Sequence, residues 1–196
     1  MLDNGNHPRQ VRLLSSALAT AGAVALMMSA MTGPAAAVAE RDRLTAPVPS
    51  TQSTYASAVA ISGNTVVVGA PGLPDPSIVR PPGKAYVYTL DAQGRATLRA
   101  TLTNGETNDR FGENVAIDGN TIVIGVGGQV VEKAFVFTKP ANGWRTTAPT
   151  AVLTQSDPEP LDAFGTAVDV QGNTVAVGAG LHDVGAAQDS GAVYVY

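Results

Sequence analysis

Cysteine is missing from this sequence altogether, so an exported fold would have no disulfide staples and no lipid-bearing cysteine to anchor it. Histidine is nearly missing as well, since only His7 and His182 occur. His7 falls in a segment that reads as a leader, which leaves no pair of histidines for a metal site in the remainder. There is no Gly-x-Ser-x-Gly elbow, so a serine triad would have to rest on His182. That residue lies in a loop rich in Gly and Ala, where it is expected to be a solvated histidine rather than a general base. Asp157 and Glu159 stand close in sequence, but acid-base work requires a cleft that raises one carboxyl pKa. Basic residues are the minority, 12 Lys and Arg against 16 Asp and Glu for a net charge of −4, which argues against nucleic acid as a partner. The Gly-Val-Gly-Gly run at Gly125 to Gly128 opens no helix that could hold a phosphate. The chain is therefore expected not to be an enzyme, and no cofactor is expected.

What the sequence does contain is one sentence written three times. Phe164-Gly165-Thr166-Ala167-Val168-Asp169-Val170-Gln171-Gly172-Asn173-Thr174-Val175-Ala176-Val177-Gly178-Ala179 matches Phe111 to Val126 and Tyr55 to Ala70. The Gly-Asn-Thr triplets begin at Gly63, Gly119 and Gly172, steps of 56 and 53 residues, a period that points to stacked supersecondary units or propeller blades. Val, Ile and Thr flank each Gly-Asn, and this dipeptide suits a two-residue hairpin loop. The second strand of each pair, from Thr65, Thr121 and Thr174, is apolar at nearly every position, as a strand covered on both faces would be. A third strand alternates aromatic and β-branched residues at Ala85-Tyr86-Val87-Tyr88, Ala134-Phe135-Val136-Phe137 and Val193-Tyr194-Val195-Tyr196. A fourth, weaker segment follows in two repeats, at Ala96 to Leu102 and Thr150 to Leu153. Strands of this regularity, with Gly at fixed places, suggest four-stranded antiparallel blades around an axis.

The order Phe-Gly, apolar strand, turn, apolar strand, Gly-Ala-Pro, loop, aromatic strand resembles the FG-GAP repeat, the blade of the integrin α-subunit propeller and of many bacterial secreted proteins. The resemblance covers Tyr55 to Tyr196 and draws its specificity from three copies in register. Two departures stand out. The first unit has Tyr55-Ala56 in place of Phe-Gly, and Gly-Ala-Pro is complete only at Gly69-Ala70-Pro71, becoming Gly125-Val126-Gly127 and Gly178-Ala179-Gly180. The expected fold is all-β, a partial β-propeller of about three four-stranded antiparallel blades preceded by a signal helix. The blades are expected at residues 53–103, 109–154 and 162–196.

Ahead of the repeats, Leu13 to Met31 runs without a charge and is followed by Ala37-Val38-Ala39, a small-x-small site that predicts cleavage before Glu40. Residues 1–39 are thus expected to be a signal peptide, and residues 40–52 a linker or flexible arm. The mature protein is expected to be secreted, extracellular or periplasmic, with no stable membrane anchor. Trp144, the sole tryptophan, follows a turn and is expected to pack in the core rather than stack on a ligand.

The hairpin turns are uniformly minimal, whereas the connections after the second strands vary in length, so recognition is expected on those connections and on the links between units. The candidate ligand face comprises Asp75, Arg80, Asp109, Asp162, Asp183 and Asp189. The resemblance to integrin-type repeats implies Ca²⁺ in the first hairpin turn. Here Ser62-Gly63-Asn64, Asp118-Gly119-Asn120 and Gln171-Gly172-Asn173 offer one carboxylate at most, fewer oxygens than the cation needs, so calcium is not expected there; a looser site could form around Asp183 and Asp189. By analogy with the family, the expected role is a binding or structural module for adhesion or other protein–protein contact, taking an unknown protein or glycan. The alternative is a non-catalytic fragment or accessory domain of a larger propeller or hydrolase. A propeller ordinarily closes with about four to eight blades, so two blades and a partial third are expected to leave open flanks that favour self-association or further blades. The arm at Glu40 to Gln52 is one candidate for the strand that the third blade lacks.

Overall fold

The structure is a computed structural model that describes residues 39–48, 54–71, 82–106, 110–127 and 132–196. The chain divides into a unit of residues 1–40 and a unit of residues 41–196. Only residues 39–40 of the first are described, so the predicted leader lies outside the described residues.

Among the described residues, eleven strands form three antiparallel meanders. The first blade contains β1 (Val59–Ser62), β2 (Thr65–Ala70), β3 (Lys84–Leu90) and β4 (Ala96–Leu102). The second contains β5 (Phe111–Asp118), β6 (Thr121–Gly127), β7 (Glu132–Thr138) and β8 (Ala151–Leu153). The third has three strands, β9 (Phe164–Gln171), β10 (Thr174–Ala179) and β11 (Ala192–Val195). In every blade the strands pair in sequence order, as short connections between antiparallel neighbours require. No helix occurs among the described residues. The all-β partial propeller read from the repeats is the observed architecture.

Hairpin register follows from the Gly-Asn loops. Ser62 pairs with Thr65, Asp118 with Thr121 and Gln171 with Thr174, leaving two loop residues in each case. The first loop residue takes positive φ, 56° at Gly63, 53° at Gly119 and 57° at Gly172, a conformation that costs glycine nothing. This register fixes which side chains look toward which neighbour, because alternate residues face opposite sides of a sheet.

Two cores result, one per blade joint. Between the first and second blades, Val67, Ala85, Val87 and Leu102 meet Phe111, Ile122, Ile124, Phe135 and Phe137, all buried, and Trp144 joins them. Phe111 lies edge-on to Phe137 at 6.0 Å and tilted on Phe135 at 5.6 Å. Between the second and third blades, Val123, Ala134 and Ala116 meet Phe164, Val175, Val177 and Ala179. Burying one such Phe or Val stabilises by roughly 1.5–3 kcal/mol. Trp144 is a core residue, as expected; its loop follows the outer edge of the first blade, where the Thr146 hydroxyl accepts the Thr101 N–H at 3.1 Å.

The described part of the arm does not complete the third blade. It lies on the first, where the Asp42 carboxylate accepts the Ala96 N–H at 2.7 Å and Leu44 packs against the cluster of Val68, Ala70, Tyr86 and Tyr88. There Leu44 covers apolar side chains of the first blade, and Pro47 and Pro49 disfavour a strand in a ladder.

Candidate functional site

The Phe-Gly pair is a bulge that joins one blade to the next. On β5, Phe111 pairs with Val126 and Asn114 with Gly125, so Gly112 and Glu113 stand outside the ladder; on β9, Phe164 pairs with Ala179 and Ala167 with Gly178, leaving Gly165 and Thr166 out. The residue before the aromatic and the residue after it both take positive φ, 56° and 92° at Arg110 and Gly112, 59° and 90° at Ala163 and Gly165. A tight turn closes each bulge through Glu113 N to Arg110 O and Thr166 N to Ala163 O.

Close backbone approach explains the glycines on both sides. A Cβ on Gly69 would lie 2.0 Å from the Gly112 carbonyl oxygen, and one on Gly125 would lie 2.0 Å from that of Gly165. In the opposite direction, a Cβ on Gly112 would meet the Lys84 carbonyl oxygen at 2.4 Å, and one on Gly165 that of Lys133 at 2.7 Å. Nothing larger than hydrogen fits these contacts. At the turn end each joint is pinned once more, for the Ser62 hydroxyl accepts the Gly119 N–H at 3.0 Å and the Asp118 carboxylate accepts the Gly172 N–H at 2.7 Å. Asp118, the only carboxylate in the three hairpin turns, is thereby occupied in holding blades together.

At the opposite end, the links between blades converge. Lys133 at the start of β7 pairs with Glu106 at 3.4 Å, and the Glu132 carboxylate accepts the Ala163 N–H at 3.1 Å. Here Asp162 and His182 form a cluster that local sequence did not reveal. Asp162 is 2% exposed and His182 7% exposed. The Asp162 carboxylate faces His182 Nδ1 at 3.0 Å and also accepts hydrogen bonds from the Gln155 side-chain amide and the Glu159 N–H. On the other side of the ring, His182 Nε2 faces the Asp157 carboxylate at 3.6 Å, and Asp157 accepts the Tyr194 hydroxyl at 2.7 Å. The His182 and Tyr194 rings meet edge to face at 5.9 Å. Tyr196, two residues on and on the same side of β11, donates to the Thr154 carbonyl at 2.6 Å.

Charge in this cluster is self-consistent. Burial pushes the Asp162 carboxyl up, but the Glu159 N–H, His182 and Gln155 outweigh it and hold the carboxyl below its ordinary range. The hydrogen bond from Asp162 raises the His182 pKa against the opposing effect of burial. Asp157 is lowered by the Tyr194 hydroxyl. Asp162 and Asp157 thus favour the charged form of His182, and His182 favours the charged form of both carboxylates.

The expectation of a solvated His182 is therefore corrected: the ring is buried and faces a carboxylate at each nitrogen. Asp162, placed among the candidate ligand-face residues, is likewise turned inward onto its own chain. The physical reason is that the long link of residues 154–163 must pack against β11, and its polar groups satisfy one another there. Asp183 accepts the Asp189 N–H at 2.8 Å, and Asp189 is exposed with φ of 51°. Asp75, Arg80 and Asp109 lie outside the described residues. Among the described residues, no group of three or more His, Asp or Glu is arranged to hold a metal ion. A signal for the cluster did exist in the sequence. The second blade has Phe135 and Phe137 where the third has Tyr194 and Tyr196, and the two added hydroxyls call for acceptors.

Blades of antiparallel meander, joined in series by aromatic-Gly bulges, define a propeller-type repeat module. The FG-GAP repeat model matches residues 38–88, 96–137 and 148–196, more than half of the chain, and the protein belongs to that family. No curated protein matches the chain.

Proposed function

We propose that this protein is a secreted, non-catalytic binding module that takes a protein or glycan ligand on the link end of its blades and serves adhesion or another surface contact. The observation that carries the reading is the division of labour between the two ends. The hairpin end is uniform, with two-residue turns used up in blade-to-blade hydrogen bonds. The link end gathers segments of unequal length from different repeats, fixed by the Glu132, Lys133 and Asp162 contacts, and a rigid scaffold under variable loops is how such folds present recognition residues. Both nitrogens of His182 face carboxylates, so the ring has no free lone pair aimed at a substrate, which favours a fastening role over general-base chemistry.

Binding of the full chain to arrayed glycans and extracellular proteins tests the reading. Asp183→Lys combined with Asp189→Lys, on the link end, should abolish the strongest signal, while Asn64→Ser and Asn120→Ser on the hairpin end should leave it. Loss on the hairpin end with retention on the link end would overturn the assignment. Export is tested separately: intact mass of the secreted protein should correspond to a chain beginning at Glu40.

A further inference from the structure

Arginine is concentrated on one strand edge. Of the six arginines among the described residues, five, Arg41, Arg43, Arg95, Arg99 and Arg145, are exposed along the outer edge of the first blade, the free side of β4. Three segments bring them together. The arm arrives where the Asp42 carboxylate accepts the Ala96 N–H at 2.7 Å, and the Arg41 stem lies so close to the turn before β4 that a Cβ on Gly94 would be 2.9 Å from its Cδ. The loop after β7 meets the other half of the strand, where the Thr146 hydroxyl accepts the Thr101 N–H at 3.1 Å. Arg95 stands just before the strand and Arg99 within it, so the five charges run beside about 17 Å of extended chain.

Little on the chain neutralises them. Arg95 pairs with Asp91 at 2.9 Å, whereas the other four have no carboxylate within ion-pair distance among the described residues. Asp42 is engaged with backbone, accepting the Arg43 N–H at 2.8 Å as well as that of Ala96. Arg99 donates through Nε to the Thr89 hydroxyl at 2.8 Å, and Arg145 donates to the Asn142 side-chain oxygen at 3.0 Å. These neutral acceptors orient each guanidinium and leave its charge uncompensated. The acidic residues are concentrated elsewhere, since residues 146–196 hold six Asp and Glu and no Lys or Arg. Exposed charges farther apart than the Debye length, about 8 Å at physiological salt, are largely screened from one another, so this edge attracts anions despite the net charge of −4.

We propose that the outer edge of the first blade is a binding track for a linear polysaccharide bearing sulfate or phosphate esters. A guanidinium fork matches such an ester, donating two parallel hydrogen bonds to one group, and charges in a row along one strand fit the repeat of an extended chain better than a flat bilayer. Addition of a peptide strand is disfavoured, because the amides of Ala96 and Thr101 on this edge are already taken. Nucleic acid would find no platform for its bases, since Tyr86, Tyr88 and Trp144 beside the edge are buried. The track is separate from the link end, so its failure would leave the link-end ligand untouched.

Interferometry of the full chain on dextran sulfate and on phosphorylated dextran, with neutral dextran of the same length as control, tests the proposal. At least one ester should bind, neutral dextran should not, and affinity should fall as salt rises from about 50 to about 200 mM. Arg99→Gln should weaken binding about fivefold and its combination with Arg145→Gln about twentyfold, whereas Lys84→Gln, which removes one charge at the far end of the same blade, should stay within about twofold. Equal loss with Lys84→Gln, binding that ignores salt, or no binding of either ester overturns the proposal. Tighter binding of single-stranded DNA or of anionic phospholipid vesicles than of either ester overturns it as well, by giving the edge to another class of partner. All three substituted side chains are outside the core, and a loss seen only in variants whose melting temperature also falls counts against the track.

Discussion

At the end of β6, a Cβ on Gly125 would sit 2.0 Å from the Gly165 carbonyl oxygen; at the end of β10, a Cβ on Gly178 would meet the side chain of its own neighbour, Ala167, at 3.2 Å. The two glycines hold the same place in successive repeats. One is glycine because another blade's backbone occupies the space of a side chain, while the other faces an open depression. The difference teaches that the glycines of this repeat are interface residues first. Their necessity is felt only where the next blade is in place.

Substitutions made in parallel at a formed joint and on the open face should therefore diverge. Phe164→Ala removes a fully buried ring from the joint between the second and third blades and should cost about 3–5 kcal/mol in urea unfolding. Val195→Ala on the open face should stay within about 0.5 kcal/mol. If the two cost the same, the exposed face is covered in solution and the contrast fails.

Gly125→Ala should destabilise by roughly 1–3 kcal/mol, since backbone must shift to admit the methyl group, and Gly178→Ala by less than about 1 kcal/mol. Thermal melts of the two single variants give the comparison. A smaller pair lies at the turn end, where Asp118→Ala removes the acceptor of the Gly172 N–H and should cost about 0.5–1.5 kcal/mol. Gln171→Ala, at the matching place beside no further blade, should be neutral, and hydrogen exchange at the Gly172 amide should quicken only in the first of these variants.

The smallest effect concerns pH and the inner side of the third blade. His182 has a raised pKa in the folded chain, so its contribution is fully present below its ordinary unfolded value of about 6.5 and is lost as pH climbs through the higher folded value. Asp162 is lowered, so its contribution is present above about 3.9 and is lost as pH falls through the lower folded value. The melting temperature should accordingly decline as pH rises past the neutral region, and His182→Gln should flatten that limb. An unchanged slope in the variant would assign the decline to other groups.

Much of this was legible in the sequence. Gly-Asn between runs of Val, Ile and Thr specifies a two-residue hairpin wherever it occurs, because the turn needs one residue at positive φ and the flanks need β-branched side chains. The apolar second strands specify cover on both faces, and the Phe-Gly copies specify a repeated joint. Those are properties of neighbours along the chain, so periodicity carries them. Burial of His182 is of another kind: its partners come from two other segments, Asp157 and Asp162 from the link of residues 154–163 and Tyr194 from β11, which meet only when that link lies against β11. A histidine in a run of Gly and Ala has no local mark of such partners. The arm's placement on the first blade is also a tertiary fact, since it depends on which backbone lies within a few ångströms, a distance that sequence spacing does not encode.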